Sequence, residues 1–288
     1  MNIDSSSTIL FDNGSLRPES IIEFRFLCEK LSKFLKRPLL CAGLLHSHKV
    51  SVEKLNGEAM PKLEFLLKEL LKKGQKNFYL LPFFIGPSLA IKDYLPKILL
   101  SLKKDYPQAT FNISPPLAGD NLRSPDLRLS YAIFCDVKKI IDESNHKSFG
   151  ILLVDHGSPV KEVCDVKNSV GKQLQNRLEK EFFDRIIKTE CYSMERRNGD
   201  AYAFNEPLLD KCHTGNACSQ SVVILAPLFL LPGRHAGKGG DIDQILSESL
   251  PFNTEKIQKT KLLHASDTTI EILKDRLNGC LHSPWMQV

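Results

Sequence analysis

The sequence predicts an α/β protein built as two similar doubly wound parallel-sheet domains related by internal duplication, and three observations predict it. A block at 8–20, TILFDNGSLRPES, recurs at 151–163 as ILLVDHGSPVKEV, with Asp12-Asn13-Gly14-Ser15 falling on Asp155-His156-Gly157-Ser158 at an offset of 143. A second block at 80–90, LLPFFIGPSLA, recurs at 225–235 as LAPLFLLPGRH, with Pro82 on Pro227 and Ala90 on His235 at an offset of 145. In each half, aliphatic runs also alternate with amphipathic stretches, the pattern of parallel strands joined by right-handed crossover helices. Chance similarity does not hold an offset of about half the chain, so one repeat is expected at 1–145 and the other at 146–288.

The elements follow in the same order in both halves. The runs Thr8–Phe11 and Ile151–Val154 read as first strands, each followed by an Asp-x-Gly-Ser turn whose serine is placed to cap the next helix. That helix is expected over Ser20–Leu35, with Ile21, Phe24, Leu27, Cys28 and Leu31 at helical spacing, and over Val166–Phe182, with Val166, Val170, Leu174 and Leu178. Further helical stretches are expected at Pro61–Lys73 and near Glu206–Lys211, and a strand over Ile186–Tyr192. The second strong strand reads as Asn77–Phe84 or Ser221–Phe229, then a helix over Lys92–Leu102 or Ile242–Leu250, then a strand over Thr110–Ser114 or Lys261–Leu263. Ligands in such sheets bind beyond the carboxyl ends of the strands. His156 and His235 each follow one.

Composition narrows the function classes. At 288 residues, with 42% hydrophobic and 25% charged residues, the chain has the make-up of a folded globular protein. Its 39 basic and 34 acidic residues give a net charge of +5, with lysines spread over helix faces, so no nucleic-acid partner is expected. A mild positive field instead favours a polycarboxylate ligand. No apolar run reaches the roughly 20 residues that cross a bilayer, and the N-terminus has no basic segment before its first strand; no membrane partner and a cytoplasmic location are expected. The eight cysteines contain no CxxC pair and do not read as a disulfide framework. Cys212 and Cys218 bracket a glycine turn, where a structural role stands ahead of a metal site.

A single histidine after a strand is more often a satisfied loop residue than a ligand. Two at matching strand ends change that balance. Gly157 and Gly233 lie beside them and let a bulky ligand approach the backbone, and PGRHAGKGGD adds a glycine-rich loop that does not fit the phosphate-binding pattern. The strand-HGSP motif at 156–159 and PLFLLPGRHAGKGGDI at 227–242 resemble the sirohydrochlorin cobaltochelatases and ferrochelatases, the class II chelatases, in their two-repeat long form. The resemblance implies two similar α/β halves enclosing a tetrapyrrole cleft. It makes His156 and His235 the pair that handles metal and accepts protons, with no organic cofactor and with Co²⁺, Fe²⁺ or Ni²⁺ as substrate. Long members of that family usually carry the histidines in the first half. Here Asn13 and Ala90 stand at those positions, so the active half is expected to be the second, with one active site per chain and a silent first half. A monomer suffices, because the repeat supplies both halves.

Insertion of a metal into a macrocycle removes two pyrrole protons, and neutral imidazole can both ligate a borderline metal and accept a proton near neutral pH. A carboxylate would hold the other imidazole nitrogen or relay protons. Glu195 is the preferred catalytic candidate and Glu206 the second; a surface charge is the alternative for each. Arg234 is the best-placed group for a substrate carboxylate, followed by Arg196, Arg197 and Lys238, while Ser158 either donates to a carboxylate or caps a helix. Asp241 ends a longer loop than its first-half equivalent Asp93, which leaves its role open. His46 and His48 form an H-x-H that either passes metal inward or, lacking a third ligand, is a bystander. His264, after the last strand, either reaches the cleft or stands outside it, and is not counted in the site. The competing reading is a non-catalytic tetrapyrrole- or metal-binding carrier that kept the histidines.

Overall fold

The computed structural model describes residues 6–250 and 257–282. Its strands form two four-stranded, wholly parallel sheets of identical order, β2-β1-β3-β4 and β6-β5-β7-β8. In the first, β1 (Ser6–Asp12), α1 (Pro18–Leu35), β2 (Leu40–Gly43), α2 (Leu63–Lys72), β3 (Asn77–Pro82), α3 (Leu95–Asp105) and β4 (Thr110–Ile113) follow one another. In the second, α4 (Leu127–Asp142), β5 (Ser148–Asp155), α5 (Lys161–Glu181), β6 (Ile186–Ser193), β7 (Val222–Pro227), α6 (Asp241–Ser249) and β8 (Ile257–Lys259) precede the last helix, α7 (Asp267–His282). The duplicated α/β architecture is thus as the sequence predicts.

Local chemistry accounts for most boundaries. Strand β7 is buried along its whole length and β5 from its second residue on, as befits strands covered on both faces. Helix α1 opens with Pro18, whose missing N–H costs nothing in a first turn, and closes on Lys36 in the left-handed conformation. Three expectations are corrected. Glu206–Lys211 is not a helix: Pro207 removes a backbone donor there, and the chain makes two short tight helical turns, Asp200–Asn205 and Leu209–Thr214, on either side of it. The last strand is Ile257–Lys259, paired with Val223–Leu225, whereas Leu263 begins a turn and is buried by it. Ser158 does not cap α5, because Val160 occupies that position; its Oγ instead accepts the Val160 N–H at 3.1 Å.

The compact units divide differently from the sequence halves 1–145 and 146–288. Unit 1 comprises Met1–Gly119 with Ile270–Val288, and unit 2 comprises Asp120–Thr269. Helix α4 belongs to unit 2, where Asp136 accepts the Lys261 N–H and Arg185 donates to the Ile141 carbonyl. Most of α7 belongs to unit 1, where Asn112 donates to the Cys280 carbonyl and Arg276 to the carbonyls of Pro116 and Leu117. Each unit is completed by a helix from the other half of the sequence.

Candidate active site

Both histidines lie in unit 2, at the carboxyl ends of β5 and β7. After β5 the Asp155 carboxylate turns back on itself, its Oδ1 accepting the Gly157 N–H at 3.1 Å. Gly157 adopts φ +90°, and a Cβ there would collide with the Glu195 carbonyl, so this glycine is required by the fold itself. The buried Asn205 fixes the next residue by accepting the Ser158 N–H at 3.0 Å and donating to the Ser158 carbonyl at 2.9 Å. Strand β6 runs on beside this turn: Met194 N–H donates to the Asp155 carbonyl at 2.8 Å and Glu195 N–H to the His156 carbonyl at 3.1 Å. The result sets His156 Nε2 3.5 Å from Glu195 Oε1.

The loop after β7 is tied at several points. His264 Nδ1 bonds the Leu230 carbonyl at 2.8 Å, Gly237 N–H the Gly233 carbonyl at 2.9 Å, and the N–H groups of Asp241 and Ile242 the carbonyls of Arg234 and His235 at 3.2 Å. A Cβ on Gly240 would press to 2.5 and 2.6 Å on those last two carbonyls, whereas Gly233 faces open space. Asp241 opens α6, and its Oδ2 takes both His235 Nδ1 at 2.8 Å and Arg234 Nε at 3.2 Å. The two imidazoles meet edge to face, with ring centroids 4.7 Å apart and planes at 72°. His156 is 46% exposed and His235 29%. Because a carboxylate oxygen only accepts, Nδ1 of His235 carries the proton toward Asp241, while Nδ1 of His156 lies 3.1 Å from the Gly157 carbonyl. His235 therefore offers an Nε2 lone pair, whereas Nε2 of His156 faces the Glu195 carboxylate, also an acceptor, at 3.5 Å.

The structure brings His156, His235, Glu195, Gly157, Ser158, Gly233 and Arg234 together in the loops after these strands. Of the other sequence candidates, Glu206 is engaged by Arg196 at 2.8 Å and Lys211 at 3.4 Å, so it serves the local fold. Arg197 stacks over Tyr202. His46 and His48 lie in a short turn of unit 1, where His48 packs edge-on to Phe65. The thiols of Cys212 and Cys218 hydrogen-bond to each other, which lowers the Cys212 pKa and raises that of Cys218. Among the described residues no group of three or more His, Cys, Asp or Glu is arranged to hold a metal ion, and no helix is long and apolar enough to cross a membrane. Sequence reasoning named Asp241 without a role and missed Asn205; an acidic residue at the start of a helix, six positions after a histidine, is the signal that finds the first.

Unit 1 keeps the turn without the imidazoles. Asp12 Oδ1 accepts the Gly14 N–H at 3.0 Å and Gly14 adopts φ +86°, but Asn13 and Ala90 replace the histidines. Burial there pushes the Asp12 carboxyl up to about 7.

Residues 7–123 match the CbiX family. No curated protein matches the chain at a significant level. Among solved structures, the chain is similar to SirB from Bacillus subtilis with Fe³⁺, at 12% identity and a TM-score of 0.68 over 96% of both chains. It is also similar to the sirohydrochlorin chelatase SirB from Bacillus subtilis subspecies spizizenii in complex with cobalt, at 12% identity and a TM-score of 0.66, over 97% of this chain and 96% of that one. A multi-domain protein of Deinococcus radiodurans with structural similarity to chelatases matches at 14% identity and a TM-score of 0.62, over 94% of this chain and 54% of its own. The CbiX pattern thus covers residues 7–123, and the fold of the SirB chelatases extends along the whole chain.

Proposed function

We propose that the protein inserts a divalent metal ion, Co²⁺ or Fe²⁺, into sirohydrochlorin, and that the reaction runs in unit 2 alone. The observation that carries the reading is the pair of imidazoles at 4.7 Å, each backed by its own carboxylate. Metallation exchanges two pyrrole protons for one metal ion. His235, its Nδ1–H held by Asp241, keeps Nε2 free to bind the incoming ion or take a proton, and the carboxylate fixes the orientation of the ring. His156 offers Nε2 to the same space, and a proton received there is stabilised by Glu195 and passed on through it to water. Two nitrogen ligands hold a borderline ion without caging it, which suits a metal that must leave for the macrocycle. Arg234 stands 72% exposed beside this pair and suits a substrate carboxylate. The iron and cobalt bound in the two SirB structures support Fe²⁺ and Co²⁺ as the ions to try first; Ni²⁺ accepts the same ligands.

The test is anaerobic incubation of the protein with sirohydrochlorin and each ion in turn, following the absorption change on metallation. Insertion above the spontaneous rate is expected. Binding of metal or tetrapyrrole without that acceleration would make the protein a carrier instead.

A further inference from the structure

Beneath the site lies a charge that the reaction scheme does not use. Lys167, in the second turn of α5, is 1% exposed, and its Nζ donates to Ser193 Oγ at 2.6 Å and lies 3.4 Å from Asp155 Oδ1. Asp155 and Ser193 are register partners at the last rungs of β5 and β6. The same Asp155 Oδ1 holds Gly157 N–H, so one carboxylate oxygen joins the buried cation to the turn that carries His156. Two residues beyond Ser193 comes Glu195. We infer that Lys167 is a positioning residue, whose buried ammonium cross-ties the ends of β5 and β6 and so sets the spacing between His156 and Glu195. This rests on reading those two residues as the acting pair.

Unit 1 supplies the comparison. At the offset of 143 that aligns the two turns, Lys167 falls on Phe24, which is buried and stacked on Phe83 at 5.9 Å; by strand pairing, Ser193 beside Asp155 corresponds to Gly43 beside Asp12. The fold therefore closes over an apolar residue at this position. A buried ion pair is seldom more stable than well-packed apolar residues of similar volume, because desolvation offsets the attraction. Stability alone gives no reason for a lysine here. The half with imidazoles has the cross-tie, and the half without them has a phenyl ring.

The experiment compares the wild-type chain with the double variant Asp155→Asn, Lys167→Met, in which neutral groups of similar size replace the pair and an amide oxygen can still accept from Gly157, and with Ser193→Ala, which keeps the pair and removes the hydroxyl that accepts from Lys167. Imidazole resonances of the metal-free protein, far-ultraviolet circular dichroism, and kcat and KM for Co²⁺ insertion would be measured. In the double variant, a wild-type dichroism spectrum is expected, with the His156 resonances moved, those of His264 unmoved, and kcat down about tenfold at a KM within about twofold. Ser193→Ala is expected to move the same resonances by less. Unmoved His156 resonances in a folded double variant would overturn the inference; should that variant fail to fold, unmoved resonances in Ser193→Ala would do so. If wild-type protein inserts no metal, the proposed function falls, and the resonances alone decide the role of Lys167.

Discussion

At the scale of single residues, chemistry is concentrated in side chains whose partners fix their direction. His235 is held by Asp241, and His156 by the Gly157 carbonyl on one nitrogen with Glu195 facing the other. Alanine at either position removes the lone pair without opening the core, since both rings reach solvent. His156→Ala and His235→Ala are each expected to abolish insertion while the circular dichroism spectrum stays that of the wild type; near wild-type turnover in either would remove that residue from the reaction. Arg234 contributes differently, because a contact with a substrate carboxylate persists through the chemical step. Arg234→Ala is expected to raise KM several-fold, roughly threefold to tenfold, with little change in kcat, and a drop in kcat alone would put it in proton transfer. The two histidines were legible in the sequence because a repeated motif exposes a substitution between its copies. Lys167 was not: one lysine among VCDVKNSV reads as the edge of a solvated helix face, and only the folded chain shows it turned inward onto Asp155.

At the scale of an element, the turn after the first strand of each sheet is one design with two electrostatic outcomes. Asp155 faces a cation. Among the described residues no ion pair to Asp12 accompanies its backbone hydrogen bond, and burial raises its carboxyl to about 7. A carboxyl raised on folding binds its proton more tightly in the folded state, so its stabilising contribution is complete below pH 4. It declines as pH rises toward 7 and is gone above that. The shift from 3.8 to about 7 corresponds to a ceiling of about 4 kcal/mol. Asp12→Asn keeps an oxygen for Gly14 and escapes this loss. Urea unfolding at pH 4 and pH 8 is expected to show the variant gaining on the wild type by a few kcal/mol at the higher pH; equal differences at both would contradict a buried, uncompensated Asp12. Strand and helix periods were readable here because each stretch repeats its pattern in the other half. Strand β2, four residues long, and the region around Pro207 were not, since neither sustains a period long enough to register.

At the scale of the whole molecule, the duplication seen in the sequence and the compact units of the fold do not share a boundary. Periodicity reports which face of a helix is apolar and says nothing of which sheet it covers, so the exchange of α4 and α7 was beyond the sequence. Separately produced fragments 1–145 and 146–288 would each carry one helix that belongs to the other unit and lack one that completes its own. Neither is expected to give a cooperative thermal transition alone, whereas the two mixed are expected to regain one; a cooperative, monomeric 146–288 would show α4 to be dispensable. The same exchange orders events during synthesis. Unit 2 is continuous and can close once its last residues leave the ribosome, but unit 1 must wait, with its sheet already made, for a helix translated after the whole of unit 2. The half without imidazoles is thus the last to mature, and a ribosome that stalled after unit 2 would release a chain with its imidazoles in place and its other half unfinished.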